Sequence, residues 1–113
     1  MNQSSTGLSE NVAGTLCYVL GWITGLVFLL VEKNSSFVRF HAMQSLITFG
    51  LLFIAGLVVN LLPGIGPLLG VLLGILTLIL WILLMLKAWS GQRYKLPWVG
   101  DEAEKQVGRM TPP

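Results

Sequence analysis

The stretch EKNSSFVRFHAMQS, residues 32–45, decides how this chain folds. It brings Glu, Lys, Arg, His and Gln together between long apolar runs. It is therefore either a reactive centre or the place where a hydrophobic chain turns round at a water boundary.

The flanking sequence favours the boundary. Val12–Val31 contains no charge, and two further apolar runs cover Ala42–Leu62 and Leu68–Leu86. Each approaches the roughly 20 residues a helix needs to cross a hydrocarbon core of about 30 Å. Helices are expected because backbone groups in lipid must bond within their own segment. Of the 113 residues, 54% are hydrophobic and 11% charged, against about 25% charged in ordinary soluble domains. A chain this short cannot hide so much apolar surface from water. The expected fold class is all-α, an integral membrane three-helix bundle with short interfacial helical segments.

The domain plan follows. Residues 1–11 form a polar tail without Lys or Arg, expected to be retained rather than cleaved. Residues 12–88 form the membrane domain, with spans at 12–31, 42–62 and 68–86 and an interfacial start to the second helix at 35–41. PGIGP, residues 63–67, closes an antiparallel hairpin, because Pro63 and Gly64 stop one helix and Pro67 suits the first turn of the next. Asn60 is expected to hydrogen-bond at a helix end. Residues 89–113 form a cytoplasmic tail with a short helix over 101–107, signalled by Asp101 and Glu104, and an irregular Thr-Pro-Pro end.

All seven basic residues fall in the first loop or after the third span: Lys33, Arg39, Lys87, Arg93, Lys95, Lys105 and Arg109. With three spans, positive-inside bias places the first loop and the C-terminus in the cytoplasm and the N-terminus outside.

Helical periodicity sorts the faces. Gly14, Tyr18, Gly21, Gly25 and Glu32 share one face of the first run; Gly66, Gly70 and Gly74, continued by Thr77 and Trp81, share one face of the third. Small residues let helix backbones approach closely in lipid, so these stripes are expected to pack the two helices on each other or on another subunit. On the second helix His41, Gln44, Ser45 and Thr48 share a face, with Arg39 pointing the other way to reach lipid phosphates. That polar stripe either hydrogen-bonds between helices or lines a cavity. Lys87, Trp89, Arg93, Tyr94, Lys95 and Trp98 have the mixture expected at a headgroup layer.

Several chemistries lack their residues. There is one His, one Cys and one Asp, with no metal-ligand spacing. Cys17 and His41 are expected near opposite ends of their spans, too far apart for a nucleophile–base pair. No basic run interleaves with stacking aromatics as single-strand binders require. The chain is expected to be non-enzymatic, without cofactor, metal or nucleic acid, and to have the lipid bilayer and itself or another membrane protein as partners.

From Asn11 to about Lys105, and most specifically in EKNSSFVRFHAMQS and YKLPWVGDEAEK, the sequence resembles a family of small uncharacterised archaeal and bacterial multi-pass membrane proteins. It is similar to the domain family of the chloroplast inner-envelope protein-import component. The resemblance implies a cell-membrane location and marks Glu32, Lys33, Arg39, His41, Gln44 and Ser45 as characteristic positions. The favoured function is helix–helix assembly. The alternatives are an oligomeric channel or translocation-like component using the polar stripe, and an adaptor binding anionic lipid through Arg93, Tyr94 and Lys95.

Overall fold

A computed structural model describes residues 4–110, and within them the chain is all-α. The helices are α1 (Glu10–Leu16), α2 (Trp22–Val31), α3 (Ser36–Val59), α4 (Gly66–Trp89) and α5 (Val99–Met110). The Thr-Pro-Pro end lies outside the described residues.

The first apolar run is not one helix, which corrects the 12–31 span. It breaks at Gly21, whose φ of 63° and ψ of −132° form a combination that side chains rarely tolerate. A break in apolar surroundings frees backbone groups that then need partners. Thr24 Oγ1 accepts from Leu20 N at 3.1 Å and donates to the Cys17 carbonyl at 3.1 Å. Ser45 Oγ donates to the Gly21 carbonyl at 2.8 Å, and Trp81 Nε1 donates to the Tyr18 carbonyl at 2.7 Å. Side chains from α2, α3 and α4 thus hold one turn.

The break makes a helical hairpin. Glu10 at the start of α1 accepts from Ser35 Oγ at the start of α3, and Tyr18 OH meets His41 Nδ1 at 2.7 Å. α1 therefore runs alongside α3 in the same direction. α2 then returns: a Cβ on Gly21 would touch Phe49, one on Gly25 would stand 2.8 Å from the Ala42 carbonyl, and Glu32 ends beside Ser35. α2 has ten residues, about 15 Å at 1.5 Å each, half of a bilayer core.

Two expectations fall with this geometry. Ser5 N donates to Glu32 Oε2 at 2.8 Å, Lys33 N donates to Ser5 Oγ at 3.0 Å, and Asn11 Nδ2 donates to the Trp89 carbonyl at 3.3 Å. The N-terminal segment, the first loop and the end of α4 thus share one end of the molecule, not opposite ends. Nor are Cys17 and His41 far apart along the fold. Cys17 Sγ lies 3.6 Å from the Val38 carbonyl, and its neighbour Tyr18 bonds His41.

Among the described residues, α3 and α4 are the two helices long and apolar enough to cross a membrane; α2 is a shorter apolar helix. The expected interfacial start at 35–41 is continuous with the span in α3. Ser35 caps it, its Oγ accepting from Val38 N at 3.2 Å. Asn60 is the C-cap of α3, and Gly64 at φ 76° helps turn the chain into α4. Every residue of α3 from Phe37 to Ser45 is buried, while Leu51, Phe53, Ile54, Leu57 and Val58 are exposed. One half of α3 is sheathed by α1, α2 and α5; the other projects with α4 as a bare apolar hairpin.

If the two ends share a side, reporters fused ahead of Met1 and after Pro113 will report the same compartment, and one inserted at Gly64 the opposite one. Opposite readings from the two ends would restore the three-span arrangement.

Candidate functional site

His41, Gln44, Ser45 and Thr48 lie three to four residues apart on α3 and so share a face. All four are buried. Beyond that face run residues 92–96, a segment without helix that follows α4.

The bonds form a closed set. His41 Nε2 lies 2.9 Å from the Gln92 carbonyl, which can only accept, so Nε2 carries the hydrogen and Nδ1 accepts from Tyr18 OH in the neutral ring. Tyr18 OH in turn accepts from Gln44 Nε2 at 3.0 Å. The same amide nitrogen donates to the Tyr94 carbonyl at 2.9 Å, while Gln44 Oε1 accepts from Leu96 N at 2.9 Å. The Gln44 amide thus bonds the segment at two points, the Tyr94 carbonyl and the Leu96 N–H. Phe37, Phe40 and Tyr18 pack edge-on around the His41 ring at 4.6–5.5 Å. Ser45 is spent on the Gly21 turn. The stripe ties together α1, the turn and the tail, and His41, Gln44 and Ser45 find their partners within the chain.

Among the described residues, Glu32 Oε1 and Thr48 Oγ1 are buried without a hydrogen-bond partner. Glu32 is nonetheless the knot of the first loop. Its Oε2 accepts from Ser5 N, Asn34 N at 3.1 Å and Ser35 N at 2.9 Å. Burial raises its pKa, but these bonds to the ionised form together outweigh that and hold it below the usual carboxylate value.

The remaining sequence-derived residues separate. Lys33 is exposed, whereas Arg39 is buried and does not face lipid. The reason is α5, which covers this half of α3. Gly14 faces Phe37, with room for no Cβ (2.8 Å to Cε1), and Gly21 and Gly25 face α3 rather than α4. Gly66 sits against the Val59 carbonyl, while Gly70 and Gly74 have nothing within 4 Å. Lys87 Nζ stands 5.4 Å from the Tyr94 ring centroid. Arg93 bonds Ser36 Oγ and stands over Phe40 at 6.0 Å. Lys95 bridges to Glu104 at 3.0 Å, so it is engaged within the tail. Trp89 and Trp98 are exposed. Gln92 contributes through its carbonyl alone, which no side-chain pattern could have signalled.

Residues 6–101, most of the chain, match the family described as the magnetosome magnetite crystal formation protein family, MamF/MmsF. The chain belongs to that family. Its similar proteins are archaeal. A UPF0132 membrane protein of Archaeoglobus fulgidus is 50% identical over 101 residues, covering 89% of this chain and 98% of the relative. One from Methanocaldococcus jannaschii is 50% identical over 99 residues, covering 88% and 71%, and another from that organism is 46% identical over 105 residues, covering 93% and 94%. No solved structure matches. MamF/MmsF membership and these relatives establish a small membrane-protein family of unassigned role; likeness to the chloroplast import component is not among what they show.

Gln44→Leu leaves the Tyr94 carbonyl and Leu96 N without partners, at about 1–3 kcal/mol for each orphaned group. Tryptic cleavage after Arg93 and Lys95 in detergent should accelerate several-fold while helix content holds; unchanged cleavage would mean the tail is held otherwise. Glu32 gives a pH signature. Its folded pKa is below the unfolded value of about 4.3, so its stabilisation is complete above that value and is lost as pH falls through the folded pKa. Melting in detergent between pH 6 and 3 should show this loss in the native chain and a smaller one in Glu32→Gln.

Proposed function

We propose that this MamF/MmsF member is a non-enzymatic protein of the cell membrane that works by helix–helix assembly, with itself or with another membrane protein. The observation that carries the reading is the division of the molecule into a sheathed half and a bare hairpin. The polar stripe at His41, Gln44 and Ser45 is consumed by the chain's own Tyr18, Gly21, Gln92, Tyr94 and Leu96. This favours packing over a lined path, and so counts against the channel and import-like alternatives. The projecting half of α4, by contrast, offers Gly70 and Gly74 on an exposed apolar surface where another helix can come close.

In this reading α3 and α4 cross the bilayer and the α1–α2 hairpin enters and leaves from one side. All seven Lys and Arg residues belong to the N-terminal portion of α3, its preceding loop or the region after Leu86, and the turn at 60–66 has none. Positive-inside bias puts that end, with both described chain ends, in the cytoplasm. Among the described residues no three His, Cys, Asp or Glu side chains gather as a metal site. Binding of anionic lipid by Arg93, Tyr94 and Lys95 is weakened by the internal partners of Arg93 and Lys95.

Gly70→Leu should lower the assembly size of the native chain in mild detergent, with the melting temperature little changed because nothing in the monomer lies within 4 Å of that position. An unchanged mass by native mass spectrometry would remove this face from any assembly.

A further inference from the structure

The reversal at residues 17–21 is pinned to the middle of α3 and to α4, where Ser45 and Trp81 bond the Gly21 and Tyr18 carbonyls. α1 and α2 therefore stop at that level. On one side of it lie α1, α2, α3 and α4, with α5 laid over α3. On the other side, among the described residues, α3 and α4 continue alone to the turn at 60–66. There Phe53, Ile54 and Leu57 of α3 and Leu68, Val71 and Ile75 of α4 are exposed. From Phe49, which faces Gly21, to Val59 at its end, α3 rises about 15 Å at 1.5 Å per residue. That is half of a hydrocarbon core of about 30 Å, so the reversal falls close to the middle of the bilayer.

The surface of the reversing hairpin matches hydrocarbon. Val19, Leu20, Ile23, Val27 and Leu30 are exposed, and no charge interrupts Val12–Val31. Water around these side chains would forfeit the free energy of burying them, whereas acyl chains do not. The hairpin therefore occupies one leaflet only. A helix with its side chains is about 10–12 Å across, roughly 100 Å² in section. The leaflet on the α5 side holds four such sections and the opposite leaflet two. α5, with Asp101, Glu104, Lys105 and Arg109 exposed, adds its breadth at the headgroups of the wider side.

Such a chain is a wedge. A flat bilayer offers its two leaflets equal area, so the excess crowds lipid on the α5 side and leaves the other side underfilled. Bending the membrane outward on the α5 side relieves both, and elements inserted into a single leaflet are sensitive to curvature. We propose that this chain partitions by membrane shape, favouring bilayers that are convex on the face bearing α5. The proposal rests on the crossing of α3 and α4 put forward above. It does not rest on assembly through α4, because the excess section belongs to each chain.

The test places the full chain in giant vesicles of dioleoylphosphatidylcholine, with a fluorophore on Lys105→Cys, on the exposed face of α5; the native Cys17 is buried. Nanotubes are pulled outward, and a membrane-impermeant quencher separates chains with α5 outside from those with α5 inside. Chains with α5 outside should be several-fold denser on the tube than on the parent vesicle, and chains with α5 inside should be depleted there. Gly70→Leu should sort in the same way. Equal density on tube and vesicle, enrichment of chains with α5 inside, or loss of sorting in Gly70→Leu, which would assign it to assembly, would each overturn the proposal. Nitroxides on Leu20→Cys and Ile65→Cys, read by paramagnetic resonance for depth, separate the two readings. The first should lie near the bilayer centre and the second in water opposite α5. An Ile65 label on the α5 face would remove the crossing and the wedge together. A Leu20 label among headgroups, or correct depths without sorting, would remove the wedge alone.

Discussion

A backbone turn buried among apolar helices must find partners for its carbonyl and amide groups, and this fold is organised around one such turn. At residues 17–21 the chain reverses halfway along α3. The carbonyls of Cys17, Tyr18 and Gly21 are taken up by Thr24, Trp81 and Ser45, one from each of α2, α4 and α3. An unpartnered amide or carbonyl in such a place costs several kcal/mol, so these three side chains fix the reversal as firmly as Gly21 permits it. Once the chain reverses there, α1 and α2 both lie against the same half of α3. The N-terminal segment is then brought back to Glu32, and its backbone completes the carboxylate's set of donors.

This is also where sequence periodicity reaches its limit. Val12–Val31 is continuous in hydrophobicity and long enough to span, and hydrophobicity is blind to a change of direction. The signal for a break is present but shared: Gly21 belongs equally to the small-residue stripe with Gly14 and Gly25, and Ser45 and Trp81 are far from it in sequence. Only their convergence distinguishes a turn from a packing face. Arg39 was misplaced for a related reason. On an isolated helix it opposes His41 and so points outward, but α5 closes that side, and an amphipathic helix after a proline gives no sign of where it docks.

Other features were legible because they depend on neighbours within one or two turns. The α3–α4 hairpin follows from Pro63, Gly64 and Pro67, and the single polar face of His41, Gln44, Ser45 and Thr48 follows from spacing alone. What that face does could not follow from spacing. Two of its bonds go to carbonyls and one to a backbone N–H in residues 92–96, and main-chain groups are the same at every position of a sequence. Glycine stripes show the same division. Gly14 and Gly25 are close-packed and Gly70 and Gly74 are open, although all four read alike as small residues on apolar helices.

The sheathed half of α3 then poses a solvent problem that its two neighbours answer oppositely. On α2, Ile23, Val27, Leu30 and Val31 face outward. On α5, whose first residue lies close to Thr48, Asp101, Glu104, Lys105 and Arg109 face outward while Ala103 and Val107 pack inward. Both helices lie on that half of α3, so their outer faces stand at similar heights. Exposing four aliphatic side chains to water forfeits up to about 1.5–3 kcal/mol each, and carrying charged side chains into hydrocarbon costs at least as much. A flat boundary drawn across α3 at any height violates one side or the other. For the membrane arrangement proposed above, the energetically consistent surface is tilted, with lipid rising along α2 and a polar layer descending along α5. The segment at 92–96 is anchored on its inner side, where His41 and Gln44 take up the Gln92 and Tyr94 carbonyls and the Leu96 N–H.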